Sequence, residues 1–271
     1  MNKKWYKLLF KQKEPIHIGK GSYGVLSETR IFIPGWTMWG ALVNKYARYI
    51  GGTKEDFDKS KELLETISCF FPSFEENGKV QFPSYIDGQF CLGNKLEEDF
   101  RAKFTDTYVS TAIDPISQNA KDESLHEIGI ILPKPKNAMV DKKLYWVGLL
   151  GINNSNDDIL SFLEEGLEVV VGGESRYGFG RVELIHKNEV DKEELEFWSL
   201  DTEGRLIASK PLSNYMEYCN GALKMGEMEH VIVEANFFKA APKIKESKIC
   251  LVPGSKASGS GRLKKGIFYS V

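Results

Sequence analysis

From Trp36 onward the apolar positions fall at helical spacing. Trp39, Leu42, Val43, Tyr46, Ala47 and Ile50 share one face, and Asn44, Lys45 and Arg48 lie on the other. Gly51-Gly52 ends this helix. Thr53, with Asp56 three positions later, predicts the cap of a second helix running to about Cys69. Strand patterns occupy residues 5–11, 125–132, 144–150, 167–171 and 181–185. Ser155 with Asp158 predicts a short helix through Glu165, stopped by Gly166. Residues 72–124 carry many turn formers and are expected to be mostly irregular.

These elements follow the order β-α-β-β-α-β, with a large insertion after the first helix and a hairpin-like one at a glycine-rich run. The expected class is α+β, with the ferredoxin-like, or RRM-like, arrangement over residues 1–187. Residues 188–229 hold ten Asp or Glu against four Lys or Arg, the composition of an acidic linker with helical pieces. Strand patterns resume at 230–239, 249–252 and 266–271, so 188–271 reads as that linker plus a smaller C-terminal α+β unit.

Composition adds exclusions. With 271 residues, 42% hydrophobic and 27% charged, the chain has the make-up of a globular protein with a sizeable core. No window approaches 18 uninterrupted apolar residues, so no membrane span or membrane partner is expected. The first fifteen residues lack the long apolar stretch of a signal peptide. Cys69, Cys91, Cys219 and Cys250 form no CxxC pair, and His17, His126, His186 and His230 do not stand at zinc spacing from them. Free thiols in a reducing cytoplasm are expected, with no metal and no cofactor.

Charge is segregated. The formal net charge is −2, yet residues 1–20 carry +5 and residues 241–271 carry +6, which leaves −13 for the stretch between. Phosphate binding responds to local field, so two basic ends packed together would form one basic face; two solvated ends would not.

Two glycine-rich segments carry the candidate chemistry. Gly19-Lys20-Gly21-Ser22-Tyr23-Gly24-Val25 fits G-x-G-x-x-G-x-V, but no H-R-D, D-F-G, A-P-E or V-A-I-K accompanies it. A dinucleotide loop is excluded as well, because extended residues follow instead of a helix. In Gly173–Arg181 glycines alternate with Arg176, Tyr177, Phe179 and Arg181. Glycine lets backbone N–H groups approach a phosphate, arginine forks onto it, and an aromatic ring stacks on an unpaired base. A plain hairpin with Phe179 packed inward is the bland alternative.

Four segments together resemble the RAMP superfamily of CRISPR-associated proteins. They are Pro15–Gly19; Ile33-Pro34-Gly35-Trp36-Thr37-Met38-Trp39-Gly40-Ala41-Leu42; Ser110-Thr111-Ala112-Ile113-Asp114 through Ala120 and Ser124–Ile128; and Gly172–Val182. The resemblance covers about residues 5–186. It implies a subunit of an RNA-guided effector complex, of the type III kind, with guide RNA and other effector subunits as partners. The backbone subunit of such complexes carries a cleaving aspartate soon after the first strand. Here that loop, Gly19–Arg30, has Glu28 and no Asp, which favours a non-cleaving subunit that caps the guide at its 5′ repeat-derived handle. A backbone or processing subunit with endoribonuclease activity is the enzymatic alternative, and an α+β scaffold unrelated to nucleic acid is the other.

The expected RNA contacts are Gly19, Lys20, Gly21 and Tyr23; Gly173, Arg176, Tyr177, Gly178, Phe179, Gly180 and Arg181; Lys45 and Arg48 on the polar helix face; and Arg262, Lys264 and Lys265 in the tail. The candidates for acid–base or metal chemistry are His17, His126, Asp106 and Asp114, each also readable as structural.

Overall fold

The longest apolar strand is paired on both edges, and the rest of the molecule is arranged around it. A computed structural model describes residues 3–137, 142–153, 157–207, 210–236, 241 and 243–270. The chain begins with β1 (Lys3–Gln12), a hairpin of β2 (Gly19–Tyr23) and β3 (Leu26–Thr29), and the helices α1 (Gly35–Ile50) and α2 (Lys54–Leu63). There follow β4 (Phe71–Ser73), a small meander of β5 (Pro83–Ile86), β6 (Gln89–Leu92) and β7 (Lys95–Leu96), and α3 (Glu97–Phe104). Next come β8 (Thr105–Ser110), β9 (His126–Ile131), β10 (Tyr145–Asn153), α4 (Asp157–Phe162), β11 (Glu168–Val170) and β12 (Arg181–Glu189). The last stretch holds α5 (Lys192–Phe197), β13 (Tyr215–Glu217), β14 (Leu223–Met225), β15 (Met228–Asn236), β16 (Lys243–Leu251), β17 (Lys256–Ala257), β18 (Arg262–Lys264) and β19 (Ile267–Tyr269).

The main sheet has the order β11-β12-β1-β10-β4, antiparallel throughout. By chain order α1 lies between β1 and β4, and α4 between β10 and β12. A second sheet, β2-β3-β9-β8, and a third, β15-β16-β13-β19-β18, flank it. The fold is therefore mixed α+β.

Two expectations are corrected here. Residues 72–124 hold more regular structure than expected: β5–β8 and α3 lie within them, and β4 begins at Phe71. The 125–132 strand is not a member of the main sheet. As β9 it joins β8 and β3, and reaches the first strand's exit through the Ile16–Ile131 bridge and the His17 contact with the Gly129 oxygen. The strand that completes the main sheet is β4, three residues long and containing a proline, which has no period to read.

The second helix is shorter than its pattern suggested. It starts as predicted, with a reciprocal capping box between Thr53 and Asp56, and ends at Leu63. The next residues are drawn into the sheet instead: Ile67 bridges Leu150, and Ser68 Oγ accepts the Leu149 N–H at 2.7 Å. The expected cap at Ser155 lies outside the described residues.

One buried apolar cluster runs from Phe10, Phe71 and Trp146 of the main sheet into Trp198, Tyr215 and Phe268 of the C-terminal residues. Phe71 and Trp198 rings lie 6.1 Å apart across this seam, and Trp36 and Tyr215 rings 4.8 Å apart. Contact is so close at Gly35 that a Cβ there would sit 2.4 Å from the Gly266 Cα. Cys69, Cys91 and Cys250 are buried free thiols and Cys219 is exposed. Burial pushes the Cys69 and Cys250 thiols up to about 12. Among the described residues no helix is long and apolar enough to cross a membrane.

Several cations of the basic ends are already paired. Their cations reach the acidic middle: Lys7 pairs with Glu194 at 2.5 Å, Lys13 with Glu183 at 2.7 Å, Lys248 with Glu217 at 2.6 Å and Lys264 with Glu65 at 2.8 Å.

Candidate nucleic-acid interface

The segment that leaves β1 is clamped between the second glycine-rich loop and β9. The His17 carbonyl accepts the Gly173 N–H at 2.9 Å, and the Pro15 carbonyl accepts the Gly180 N–H at 2.8 Å. Gly172 has φ +82° and approaches so closely that a Cβ would lie 2.1 Å from the His17 oxygen. Only glycine fits there. The His17 ring is buried, with Nδ1 at 2.7 Å from the Gly129 oxygen and Nε2 at 3.4 Å from Ser27 Oγ.

From Gly172 to Gly178 the loop is exposed. It turns through a short 3₁₀ segment, Ser175–Tyr177, framed by left-handed residues Glu174 and Gly178. Gly173, Arg176, Tyr177 and Gly178 are thus accessible, with Tyr177 42% exposed.

The two glycine-rich segments meet at one groove of about 890 Å³. Gly19 and Lys20 line it from β2, and Gly172, Gly173 and Ser175 from the loop. Thr37, Gly40 and Asn44 of α1 form its floor, and β15 forms the far wall. No side chain caps the N-terminus of α1, and Pro34, Trp36 and Thr37 bring that end to the groove. Its helix dipole favours an anion there.

Arg30 ties this groove to the C-terminal residues. Its Nε donates to the Gly19 carbonyl at 3.2 Å, and its Nη1 donates to Tyr215 Oη at 3.0 Å and to Glu229 at 2.7 Å. Burial works against its charge, but the facing Tyr215 and Glu229 raise its pKa overall. The groove's other cation, Lys20, lies 3.6 Å from Glu28. Arg30 is thus committed to Glu229, and attraction for phosphate falls to Lys20, whose contact with Glu28 is the looser one, and to the end of α1.

Several expected contacts are placed elsewhere. Phe179 is 7% exposed and packs on Ile128 and Ile130, so it is not a stacking platform. Gly180 is buried against Val171. Lys265 is buried 4.1 Å above the Trp39 ring and pairs with Glu234 and Glu246. Arg262 and Lys264 belong to β18, at the opposite edge of the third sheet from the groove-lining β15. Arg181 is exposed but holds Glu14 at 2.6 Å. Lys45 and Arg48 are exposed on α1 beyond the groove lining, and Gly21 and Tyr23 are exposed on β2.

The acid–base candidates are not gathered into one centre. His126 Nδ1 contacts the Ser124 oxygen at 3.2 Å and its Nε2 the Tyr177 hydroxyl at 3.4 Å. The Asp114 carboxylate accepts the Ile116 and Ser117 N–H groups, a turn-forming role. Asp106 accepts the Thr107 N–H and lies 3.6 Å from Lys136 Nζ. Among the described residues no cluster of three or more His, Cys, Asp or Glu is placed to hold a metal ion.

Sequence reasoning missed Thr37, Asn44 and β15 as groove walls, and Tyr108, whose ring lies 5.3 Å from Tyr177. The exposed polar positions on the helix pointed to Asn44; nothing local pointed to β15.

The sequence profile of the RAMP superfamily matches residues 10–183. The chain belongs to the RAMP superfamily. Among curated proteins none matches the chain significantly. Its fold is similar to a chain in the cryo-EM structure of the type III-B Cmr-beta complex bound to cognate target RNA, with TM-score 0.62 and 17% identity, covering 93% of this chain and 86% of that one. A chain in the same complex with target RNA and AMPPnP matches with TM-score 0.60 and 14% identity, covering 96% and 86%.

Proposed function

We propose that this RAMP protein is a subunit of a type III CRISPR RNA-guided effector complex, acting in the cytoplasm in antiviral defence. It grips the guide RNA near its 5′ repeat-derived handle and does not cleave it. The observation that carries this reading is the meeting of both glycine-rich segments with the α1 N-terminus at one groove. Such a site offers Lys20, a helix dipole and side-chain-poor backbone to a sugar–phosphate edge without demanding a base sequence.

Two finer assignments accompany it. The order β12-β1-β10-β4, with one helix crossing between β1 and β4 and another between β10 and β12, supports the ferredoxin-like arrangement for residues 1–187. Residues 188–271 are read as the acidic linker plus the smaller unit, whose strand β15 lines the groove. Absence of cleavage is supported by His17 having both ring nitrogens engaged and Asp114 holding a turn.

Purification of the effector complex at low salt, followed by RNA extraction, tests the reading. A guide-length RNA is expected, and paired variants Lys20→Ala and Asn44→Asp are expected to lower its recovery. Recovery of the assembled complex without RNA overturns it. Cleavage of repeat or target RNA that disappears in His17→Ala overturns the non-cleaving part.

A further inference from the structure

A cavity of about 360 Å³ opens beside α3 and shares no lining residue with the groove. Its size is that of an ordinary binding pocket, about 300–1,000 Å³.

Its floor is a stack of phenylalanines. The Phe104 ring lies 5.1 Å from Phe100 and 5.3 Å from Phe74, with planes 23° and 15° from parallel. Phe100, Phe104 and Leu92 are buried, and Phe74 is half-buried. Pro135, from the connection between β9 and β10, adds an apolar wall. That connection is fastened to the end of α3: the Phe104 carbonyl accepts the Leu132 N–H at 2.7 Å, and the Lys103 carbonyl accepts the Lys136 N–H at 2.8 Å. A fixed apolar recess with a charged rim has the anatomy of an anchor pocket for a partner's side chain.

The rim is basic. Lys95, Lys103 and Lys142 surround it against Asp99 alone, and all four are exposed. Among the described residues none of the four is in an ion pair. This differs from the groove, where Arg30 is held by Glu229, and from Lys7, Lys13, Lys248 and Lys264, which already have carboxylate partners. Unpaired cations around an apolar recess select an acidic partner.

The floor decides which kind of acid. A nucleobase binds by laying its ring on an open aromatic face. Here Phe104 is covered by its two neighbours, and the Lys95 ammonium stands 5.7 Å over the Phe74 ring. A leucine or phenylalanine side chain needs only apolar contact, which the recess supplies, and acidic residues on either side of it reach the lysines.

We infer that this cavity docks a segment of a partner protein in which a large apolar residue is flanked by Asp or Glu. The inference is independent of what the groove binds.

The probe is the hexapeptide Glu-Glu-Leu-Phe-Glu-Glu, titrated into the full chain while the amide resonances of Lys103 and Phe104 are followed. It is expected to bind about tenfold tighter than Lys-Lys-Leu-Phe-Lys-Lys or Glu-Glu-Ser-Ser-Glu-Glu, because each control lacks one of the two contributions. The double variant Lys103→Glu, Lys142→Glu alters only exposed side chains and is expected to reverse the preference between the acidic and the basic peptide. Phe74→Ala is expected to remove the advantage of Leu-Phe over Ser-Ser, with a thermal melt to show that the variant is folded. Equal binding of the three peptides, or a charge preference that survives the double variant, overturns the inference. Displacement of the acidic peptide by oligo-U also overturns it, since the cavity is then a nucleic-acid site. So does binding that is seen only after residues 138–141 are replaced by Gly and Ser, since the occupant is then the chain's own segment.

Discussion

The guanidinium of Arg30 forks onto the carboxylate of Glu229 across a sequence separation of 199 residues. Arg30 leaves β3 next to the first glycine-rich segment, and Glu229 opens β15. This pair, with Tyr215 Oη as third partner, fixes the far wall of the groove relative to its near wall.

Breaking the pair strands a carboxylate in a mostly buried site. Arg30→Met is expected to lower unfolding stability by about 3 kcal/mol, the scale for losing one partner of a buried pair. Urea denaturation of the variant measures it. The double variant Arg30→Met, Glu229→Met is expected to recover part of the loss, since no unpaired charge remains. A double variant as unstable as both singles summed would contradict the coupling.

Two adjacent glycines are expected to behave differently. Gly172→Ala forces a Cβ onto the His17 carbonyl at a left-handed φ and is expected to cost about 2 kcal/mol and loosen the loop. At Gly173 a Cβ meets the His17 ring no closer than 3.4 Å, and that substitution is expected to be nearly neutral. Thermal melts of both variants decide; equal effects would remove the steric argument.

The loop's two aromatic residues separate folding from binding. Phe179→Ala empties a buried site and is expected to cost about 3 kcal/mol of stability. Tyr177→Ala leaves stability nearly unchanged and is expected to weaken RNA binding by about 1–3 kcal/mol if its exposed ring stacks on a base. Anisotropy and melting data on both variants check the division.

His186 on β12 stands between Glu165 and Glu76, at 3.0 Å from each. Chiefly through its hydrogen bond to Glu165, the imidazole's pKa is raised. Its contribution to stability is fully present below the unfolded value of about 6.5 and is lost as pH rises through the higher folded value. His186→Gln is expected to flatten the stability profile above that unfolded value. Unfolding titrations at stepped pH test this, and a decline of the same size in the variant would contradict it.

RNA binding is expected to depend only modestly on salt, because Lys20 and Arg30 are the groove's lysine and arginine and Arg30 is already held by Glu229. Lys20→Ala is expected to reduce the slope of log affinity against log salt by about one.

Local pattern determined the elements that carry their own period or cap: β1, α1, the capping box at Thr53 and the strands on either side of the glycine-rich loop. The family was legible for the same reason, since its motifs are contiguous turns whose glycines answer to nearby backbone. What the chain alone did not decide was which elements lie side by side. A three-residue β4 completing the main sheet, Phe179 turned inward, Lys265 buried over Trp39 and β15 closing the groove all depend on contacts between distant residues. The segregated charge shows the limit most plainly. Sequence placed the cations at the ends and the acids between, but only the packing of those ends against that middle paired Lys7 with Glu194 and Lys248 with Glu217, because Coulomb attraction acts over ångströms in space and is blind to separation along the chain.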